Sequence, residues 1–573
     1  MKTRLNFSKK HRFYLVIILL IFMALCVTSL FFPLPESLNY DEGYHYESGV
    51  EILRGTAAKR GDEDIYHRNI MPASALHPLV DQTIQNIFPI SKDLNLENKF
   101  FGRFATIIIS VILAIYVFIW SKQLYGVLAG FLALILYVLD PNIIGNSRII
   151  TQDLFGAASI FIAIYYFWSF LRFGSRKNLV LSILTFGIAQ ICRLTAVYLV
   201  PIYIILGLGF YHREIIQSIQ TKNIPVIQRV IKHSIFYILA LILSTILIIN
   251  IGYSFERSGT QLQNYQFLSH SFKQLQTYPV LKSLSIPIPA AYLQALDFGK
   301  YKQETGFGSG MPYLLGQLGF IVDPVQGFKI KGFPQYFLIT FLYKVPIATQ
   351  IFIWLGFISL FLWRKQLNFW QNEAFLIIPS LLYFILMSSN TAQIGIRYIL
   401  MIFPFLFVFA SRIVTGWAAY KRAYRILIIV LTLYLLISNL SYFPHYISYF
   451  NELVIDRKMS YQVLVDSNLD WGQNKNYLQD YLQKHPNALF IRYDGDNKLN
   501  LVIENQKVAP SQVSLDNPIN LLVIEANQLI GITTDSNHFY WLRSSRQPID
   551  HLAYSYLIFK ISSQDAANIF GKN

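Results

Sequence analysis

The chain has 573 residues, of which 54% are hydrophobic and only 14% charged, where a soluble domain carries roughly 25% charged residues. That deficit excludes an ordinary soluble protein and makes the bilayer the solvent for most of the chain. A formal charge of +16 would suggest nucleic acid on a soluble protein. Here the Lys and Arg residues sit mainly in short loops between apolar runs, so membrane topology accounts for them and no nucleic-acid partner is implied.

The chain opens on Lys2, Arg4, Lys9, Lys10 and Arg12, followed by an apolar run over 13–32. The run is longer than the apolar core of a signal peptide, and no small-x-small cleavage site follows. It reads as a retained first span with its basic end in the cytoplasm. Ten further spans are predicted at 104–121, 126–144, 153–171, 178–192, 195–211, 234–252, 336–362, 373–389, 398–415 and 424–442, with 178–192 the shortest for a bilayer. The fold class is therefore an α-helical polytopic membrane protein of about eleven spans, with a soluble α/β domain at its C-terminal end. The membrane domain covers 1–442 and the C-terminal domain 443–573.

Basic residues give the orientation. With the N-terminus inside, the inner loops hold Lys122; Arg172, Arg176 and Lys177; Arg213, Lys222, Arg229 and Lys232; Arg364 and Lys365; and Arg412, Lys421, Arg422 and Arg425. The short outer loops hold mostly single cations, Arg148, Arg193 and Arg397. Adding or deleting one span would scramble this asymmetry. Three large outer regions result: 33–103, 253–335 and 443–573. In the last, 477–483 is helix-like, and Leu489–Tyr493 and 521–525 read as short strands. Cys26 and Cys192 both lie in or beside apolar runs, so no disulfide framework follows.

Polar groups gather on the outer side. Asn39-Tyr40-Asp41-Glu42-Gly43-Tyr44-His45 follows the first span directly. A carboxylate at that depth could take a proton from an acceptor hydroxyl while a lipid-linked substrate lies in the bilayer; equally, Asp-Glu is a common dipeptide of a solvated loop. Asp153 begins a span, either as a first-turn acid favoured by the helix dipole or facing the same cavity as Asp41. Arg193 interrupts an apolar stretch, where a guanidinium could grip a phosphate or only mark a helix end. Asp41, Glu42 and His45 could ligate a divalent metal, but theirs is not a recognised zinc spacing and a non-ligand role is favoured. Asp466, Asp470 and Trp471 could grip a sugar, although core and capping roles are favoured. Gly306-Phe307-Gly308-Ser309-Gly310 fits a flexible lid or a plain surface turn.

Five segments together carry a family resemblance. They are Asp41-Glu42-Gly43-Tyr44-His45 with Gly55 and His77-Pro78; Ser147-Arg148 with Asp153; Tyr313-Leu314-Leu315-Gly316, Phe333-Pro334-Gln335-Tyr336-Phe337 and Lys344-Val345-Pro346; Gly395-Ile396-Arg397-Tyr398 with Pro404; and Tyr449-Phe450-Asn451-Glu452 with the run Asp466-Ser467-Asn468-Leu469-Asp470-Trp471-Gly472-Gln473. Each alone is weak; their order on an eleven-span frame is specific. The set resembles the GT-C glycosyltransferases of the protein O-mannosyltransferase superfamily, in particular its phospholipid-carrier-dependent branch. That branch is related to dolichyl-phosphate-mannose protein mannosyltransferases and lipid A aminoarabinose transferases. The chain departs from the usual pattern where Gly43-Tyr44 stands for Pro-Ala and Leu79 follows His77-Pro78.

The resemblance implies an inverting sugar transfer at the outer face of the plasma (cell inner) membrane, with the active site and C-terminal domain extracytoplasmic. The donor would be a polyprenyl-phosphate-linked sugar and the acceptor a hydroxyl of a protein, lipid or glycan, among membrane lipids. Asp41 would be the general base and Glu42 its neighbour. Arg148, Arg193 and Arg397 would meet the departing phosphate, Asp153 would be the second acid, and His45 and His77 would contact substrate or metal. A divalent metal ion is left open. The competing classes are a transporter or flippase of a lipid-linked sugar, against which the lack of an inverted repeat counts, and a non-catalytic assembly subunit.

Overall fold

A computed structural model describes residues 8–88, 98–221, 224–308, 310–323, 327–362, 368–486, 488–493, 499–503, 506–508, 520–533 and 538–562. Lys222, Arg364 and Lys365, on which part of the orientation rests, and Ser309 of the glycine-rich stretch lie outside them.

Every predicted span is helical. Among the described residues, seven helices are long and apolar enough to cross a membrane: Lys9–Phe31, Phe100–Tyr125, Asp153–Phe173, Leu194–Gln220, Val230–Gly252, Ile396–Val414 and Arg422–Leu440. Two more predicted spans are bent pairs. Val127–Val138 meets Pro141–Ser147 at 63°, and Tyr336–Lys344 meets Ile347–Leu362 at 114°. The remaining two are shorter: Ala374–Ser388 is an apolar helix of 15 residues, and Arg176–Cys192 is a helix of 17 residues. Proline sets both bends: Pro141 sits in the first turn of its helix, where its missing N–H is no loss, and Pro346 falls in the break before Ile347.

Ile396–Val414 and Asp153–Phe173 are the most enclosed helices, while Val230–Gly252 and Lys9–Phe31 expose most of their length. Buried helices apolar on all sides form a centre; those with one exposed apolar face ring it as a lipid-facing surface. Trp120, Phe161 and Phe405 pack edge to face at the centre.

The two ends of the bundle differ. At one, Trp168 Nε1 donates to the Gln371 carbonyl at 2.9 Å, Arg172 to Gln371 Oε1 at 2.8 Å, and Arg412 lies 3.9 Å from Glu373. The other carries all three large polar regions. There, residues 33–88 fold as helices Glu42–Arg54, Ala57–Glu63 and Leu76–Ile87. Gly55 ends the first in the left-handed region (φ 68°), which a side chain rarely adopts. The second region contributes helix Ala290–Thr305 and two short hairpins, β1 (Tyr313–Leu314) with β2 (Gln317–Leu318) and β3 (Phe320–Asp323) with β4 (Gly327–Ile330).

The C-terminal part carries helix Lys475–Lys484 and a six-stranded sheet of β5 (Leu489–Tyr493), β6 (Leu499–Ile503), β7 (Gln506–Val508), β8 (Asn520–Glu525), β9 (Asp550–Leu552) and β10 (Tyr556–Ile561). The strand order is β7-β6-β5-β8-β10-β9. Among the described strands, only β5 and β8 pair in parallel, and Leu522, Val523 and Ile524 make central β8 apolar on both faces, as a covered strand requires. The anticipated helix and both strands are present. Between the last span and the sheet, residues 443–471 pack into the same core as the spans, through Tyr446, Phe450, Leu464 and Leu469.

Candidate functional site

A cavity of about 1050 Å³ opens at the end of the bundle that carries the polar regions. Three sequence-distant walls enclose it: the first outer region with the span ends, helix Ala290–Thr305, and the C-terminal part.

Asp41 stands immediately before helix Glu42–Arg54. Buried Asn39 builds that entry: its Oδ1 accepts from the N–H groups of both Asp41 and Glu42 at 3.0 Å, so an Asx turn launches the helix. Asp41 Oδ2 lies 3.1 Å from Arg397 Nη1, and its side chain is 40% exposed into the cavity. Arg397 lies also 3.8 Å from Asp153, and Asp153 in turn pairs with Arg193. The row Asp41, Arg397, Asp153, Arg193 alternates in charge, as closely packed ions in a low-dielectric setting must. Local structure aims each member. Arg193 occupies an extended break between two helices. Its side chain crosses Gly156, where an added Cβ would lie 2.9 Å from Arg193 Cβ. The Arg397 guanidinium lies over the Trp471 ring at 3.9 Å, a cation–π contact that fixes its plane.

His45, one turn after Asp41 on the same helix, lines the cavity as well. Its buried Nδ1 has no hydrogen-bond partner. Burial pushes its pKa down against the pull of Asp41 and Asp153, so the imidazole is neutral near pH 7 and can donate or accept.

Three anticipated site residues are placed elsewhere. Glu42 is fully buried, accepting from Arg103 Nε and Nη2 at 2.8 and 2.6 Å and from the N–H groups of Asn39 and Ile150 at 2.7 and 2.9 Å. It ties the first outer region to two spans instead of facing substrate. Arg148 is fully buried too: it donates to the carbonyls of Ser29 and Pro444 and lies 3.2 Å from Glu36. It joins three chain segments and does not line the cavity, so it is not brought to a phosphate. His77 bonds the Gly102 carbonyl through Nδ1 at 3.0 Å, abuts Phe155, and is driven to a pKa of about 4 by burial. All three combine a polar head with positions where chain segments cross, which local sequence does not reveal.

Residues that no motif marks also line the cavity. Lys300 and Lys302 reach the cavity from helix Ala290–Thr305. Burial lowers the Lys302 pKa while Asp41 opposes that and Arg397 adds to it. Their signal was a pair of cations inside the second outer region. Glu525, which ends β8, and Asn527 and Gln528, just past it, line the opposite wall beside Asp466, Asp470 and Trp471. The last three thus have a cavity face besides the structural roles favoured above. Gly308 and Gly310 line the mouth, and Phe307 packs on Tyr66 with ring centroids 5.2 Å apart.

Among the described residues, no group of three or more His, Cys, Asp and Glu side chains is placed to hold a metal ion. Asp41 and Asp153 have arginines as counter-ions, and the set of Asp41, Glu42 and His45 does not converge, because Glu42 turns away to Arg103.

The helical frame and its polar cavity define a multi-pass membrane protein with a solvent-reaching site at one end of its spans. Residues 78–252 match the family described as dolichyl-phosphate-mannose-protein mannosyltransferase, and over that segment the chain is related to those enzymes. No curated protein matches the chain. Among solved structures it is similar to ArnT from Cupriavidus metallidurans bound to undecaprenyl phosphate, with 11% identity over 96% of this chain and 98% of that one and a TM-score of 0.45. It is also similar to the Archaeoglobus fulgidus oligosaccharyltransferase in the apo form, with 13% identity over 84% of this chain and 59% of that one and a TM-score of 0.44.

Proposed function

We propose that this protein is a glycosyltransferase that moves a sugar from a polyprenyl-phosphate carrier to an acceptor hydroxyl, with inversion at the sugar carbon. The observation that carries this reading is the alternating row Asp41, Arg397, Asp153, Arg193 on one wall of a cavity at the end of the spans. The match of residues 78–252 to a mannosyltransferase family supports it. A lipid-linked donor needs apolar surface for its chain and a wet pocket for its sugar, and the junction of bundle and cap supplies both.

In this mechanism the Asp41 carboxylate takes the proton of the acceptor hydroxyl. The oxygen attacks C1 of the donor sugar from the face opposite the phosphate, the C1–O bond breaks, and polyprenyl phosphate leaves with the electron pair. Arg193 and Lys302 are the cations that meet the charge growing on that phosphate, while Arg397 holds Asp41 in place. His45 hydrogen-bonds a sugar or acceptor hydroxyl. The positive-inside distribution of Lys and Arg supports a cavity on the outer membrane face, where no nucleotide-sugar donor is needed. The sugar is a hexose of mannose type, the class that the matched family's name carries.

Purified protein in nanodiscs, given polyprenyl-phosphate sugars and acceptor candidates, should release carrier phosphate and form a new glycoside by mass spectrometry. Asp41→Asn should fold and insert normally and lose transfer by about 100-fold or more. Full activity in that variant removes Asp41 from the chemistry. Movement of labelled carrier across the bilayer without a new glycosidic bond makes the protein a flippase instead, and activity only alongside an active relative makes it an assembly subunit.

A further inference from the structure

The cavity is electrically divided. Its cations come from the span ends and from helix Ala290–Thr305. On the wall contributed by 466–533, the described lining residues include Asp466, Asp470, Trp471, Glu525 and Asn527, and none is Lys or Arg. A phosphate is repelled from that wall and drawn to the other.

The cap wall is preorganised. Asn527 is its hub: Oδ1 accepts from the Asp466 N–H at 2.8 Å, and Nδ2 donates to the Asp470 carbonyl at 3.1 Å and to Glu525 Oε1 at 3.4 Å. The turn is pinned to the spans by Ser467 Oγ, which donates to the Ile394 carbonyl at 2.7 Å, and by Asn468 Oδ1, which accepts from the Ile396 N–H at 3.0 Å. Asp470 Oδ1 accepts from the Gly472 N–H at 3.0 Å, while among the described residues Oδ2 has no hydrogen-bond partner, although Asp470 is only 1% exposed. A second unpartnered atom lies outside this acidic group: Arg397 Nε, on a side chain 8% exposed that lines the same cavity under Trp471. Burial raises the pKa of both Asp470 and Glu525, and the charge of Asp470 raises that of Glu525 further. The wall thus presents carboxyl oxygens that accept hydrogen bonds and that, where protonated, donate one. That mixture suits vicinal ring hydroxyls, each of which donates and accepts.

We propose that this wall is the subsite for a saccharide acceptor, whose ring hydroxyls are bound by Asp466, the Asp470–Glu525 pair and Asn527 while its reacting hydroxyl reaches Asp41 across the cavity. The inference rests on the glycosyltransferase reading for its use, but not for its test, which is binding alone. The acceptor class is then a glycan or glycolipid sugar, not a Ser or Thr side chain. A peptide hydroxyl offers one donor on an extended backbone and leaves most of these carboxyl oxygens unmatched.

The test is saturation-transfer difference NMR on the full chain in nanodiscs, in an Asp41→Asn background that blocks turnover. The probes are methyl α-D-mannoside, glucoside and galactoside, with a Ser/Thr-containing peptide as a separate probe. At least one glycoside should give ring-proton signals that persist when polyprenyl-phosphate mannose is added. Glu525→Leu and Asp466→Leu should weaken that binding about tenfold or more. Glu525→Gln, which keeps shape and hydrogen bonding, should retain most of it with an unchanged melting temperature, separating loss of the subsite from loss of the fold. No signal from any glycoside, signal from the peptide alone, displacement of the glycoside by the donor, or binding that survives Glu525→Leu and Asp466→Leu would each overturn the proposal.

Discussion

Asp41 and Glu42 are neighbours in sequence with opposite surroundings, and this gives the sharpest prediction. Glu42 accepts four hydrogen bonds, two of them from the buried Arg103 guanidinium. In Glu42→Ala the loss of one partner of a buried ion pair costs about 3–5 kcal/mol. Stranding the N–H groups of Asn39 and Ile150 adds about 1–3 kcal/mol each. Glu36, 3.6 Å from Arg103, and the carbonyls of Glu36 and Ser37 still hold the guanidinium, which favours the lower end of the range. Even so, the sum approaches the roughly 5–15 kcal/mol by which a folded domain is stable. Asp41, 40% exposed and making one ion pair at 3.1 Å, should cost only about 0–1 kcal/mol when replaced by Ala. Size-exclusion profiles and thermal unfolding in detergent should therefore show Glu42→Ala aggregated or strongly destabilised, and Asp41→Ala near wild type. A Glu42→Ala protein that is monodisperse, melts normally and merely lacks activity would refute this division and return Glu42 to the catalytic group.

Arg148→Ala should behave like Glu42→Ala, destabilised by about 3–5 kcal/mol in thermal unfolding, with no selective rise in donor KM in whatever fraction folds, because Arg148 spends its donors on Ser29 and Pro444. Lys302→Met should raise the KM for a polyprenyl-phosphate donor about tenfold or more, the loss of one charge-assisted hydrogen bond, with an unchanged melting temperature; an unchanged KM removes Lys302 from phosphate binding. Asp466 has its carboxyl pushed up to about 6 by burial, against the pull of Arg397. The folded state therefore holds a proton that the unfolded chain has released above about pH 4. Wild type should lose stability relative to Asp466→Asn as pH rises from about 4 to 6, with no further divergence above that; parallel stability curves would contradict it.

The helical frame was legible because its signal is local. Apolar length marks spans, and cation asymmetry between loops orders them, so all eleven stretches could be marked from sequence. The short length of 178–192 was visible too; what sequence could not supply was the sharp bend after Lys344. At the site, Asp41, Asp153, Arg193 and Arg397 were legible as charges at span ends, where burial without a partner is costly. Arg148 satisfied the same criterion and yet serves packing, since a buried cation looks alike in sequence whether it meets carbonyls or a ligand. Glu525 and Asn527 carried no signal at all. Glu525 ends an ordinary strand and Asn527 follows it, and both become cavity residues only because the sheet docks over the spans.

That docking explains why the site needs the whole chain. Arg397 is nearly enclosed, and an enclosed guanidinium without partners costs several kcal/mol. Its partners come from three places far apart in sequence: Asp41 from the first outer region, Asp153 from the head of a span, and the Trp471 ring from beyond the last span. No one of these suffices, since the carboxylates hold one edge of the guanidinium and the indole its face. The first region cannot settle without Glu42 on Arg103, nor the 466–471 turn without Asn468 on the backbone of Ile396. The buried anchors Glu42, Arg148 and Asn468 and the cavity residues Asp41, Arg397 and Trp471 are therefore two layers of one assembly. The first fixes the chain crossings, and the second places charges across those crossings that no single segment could hold.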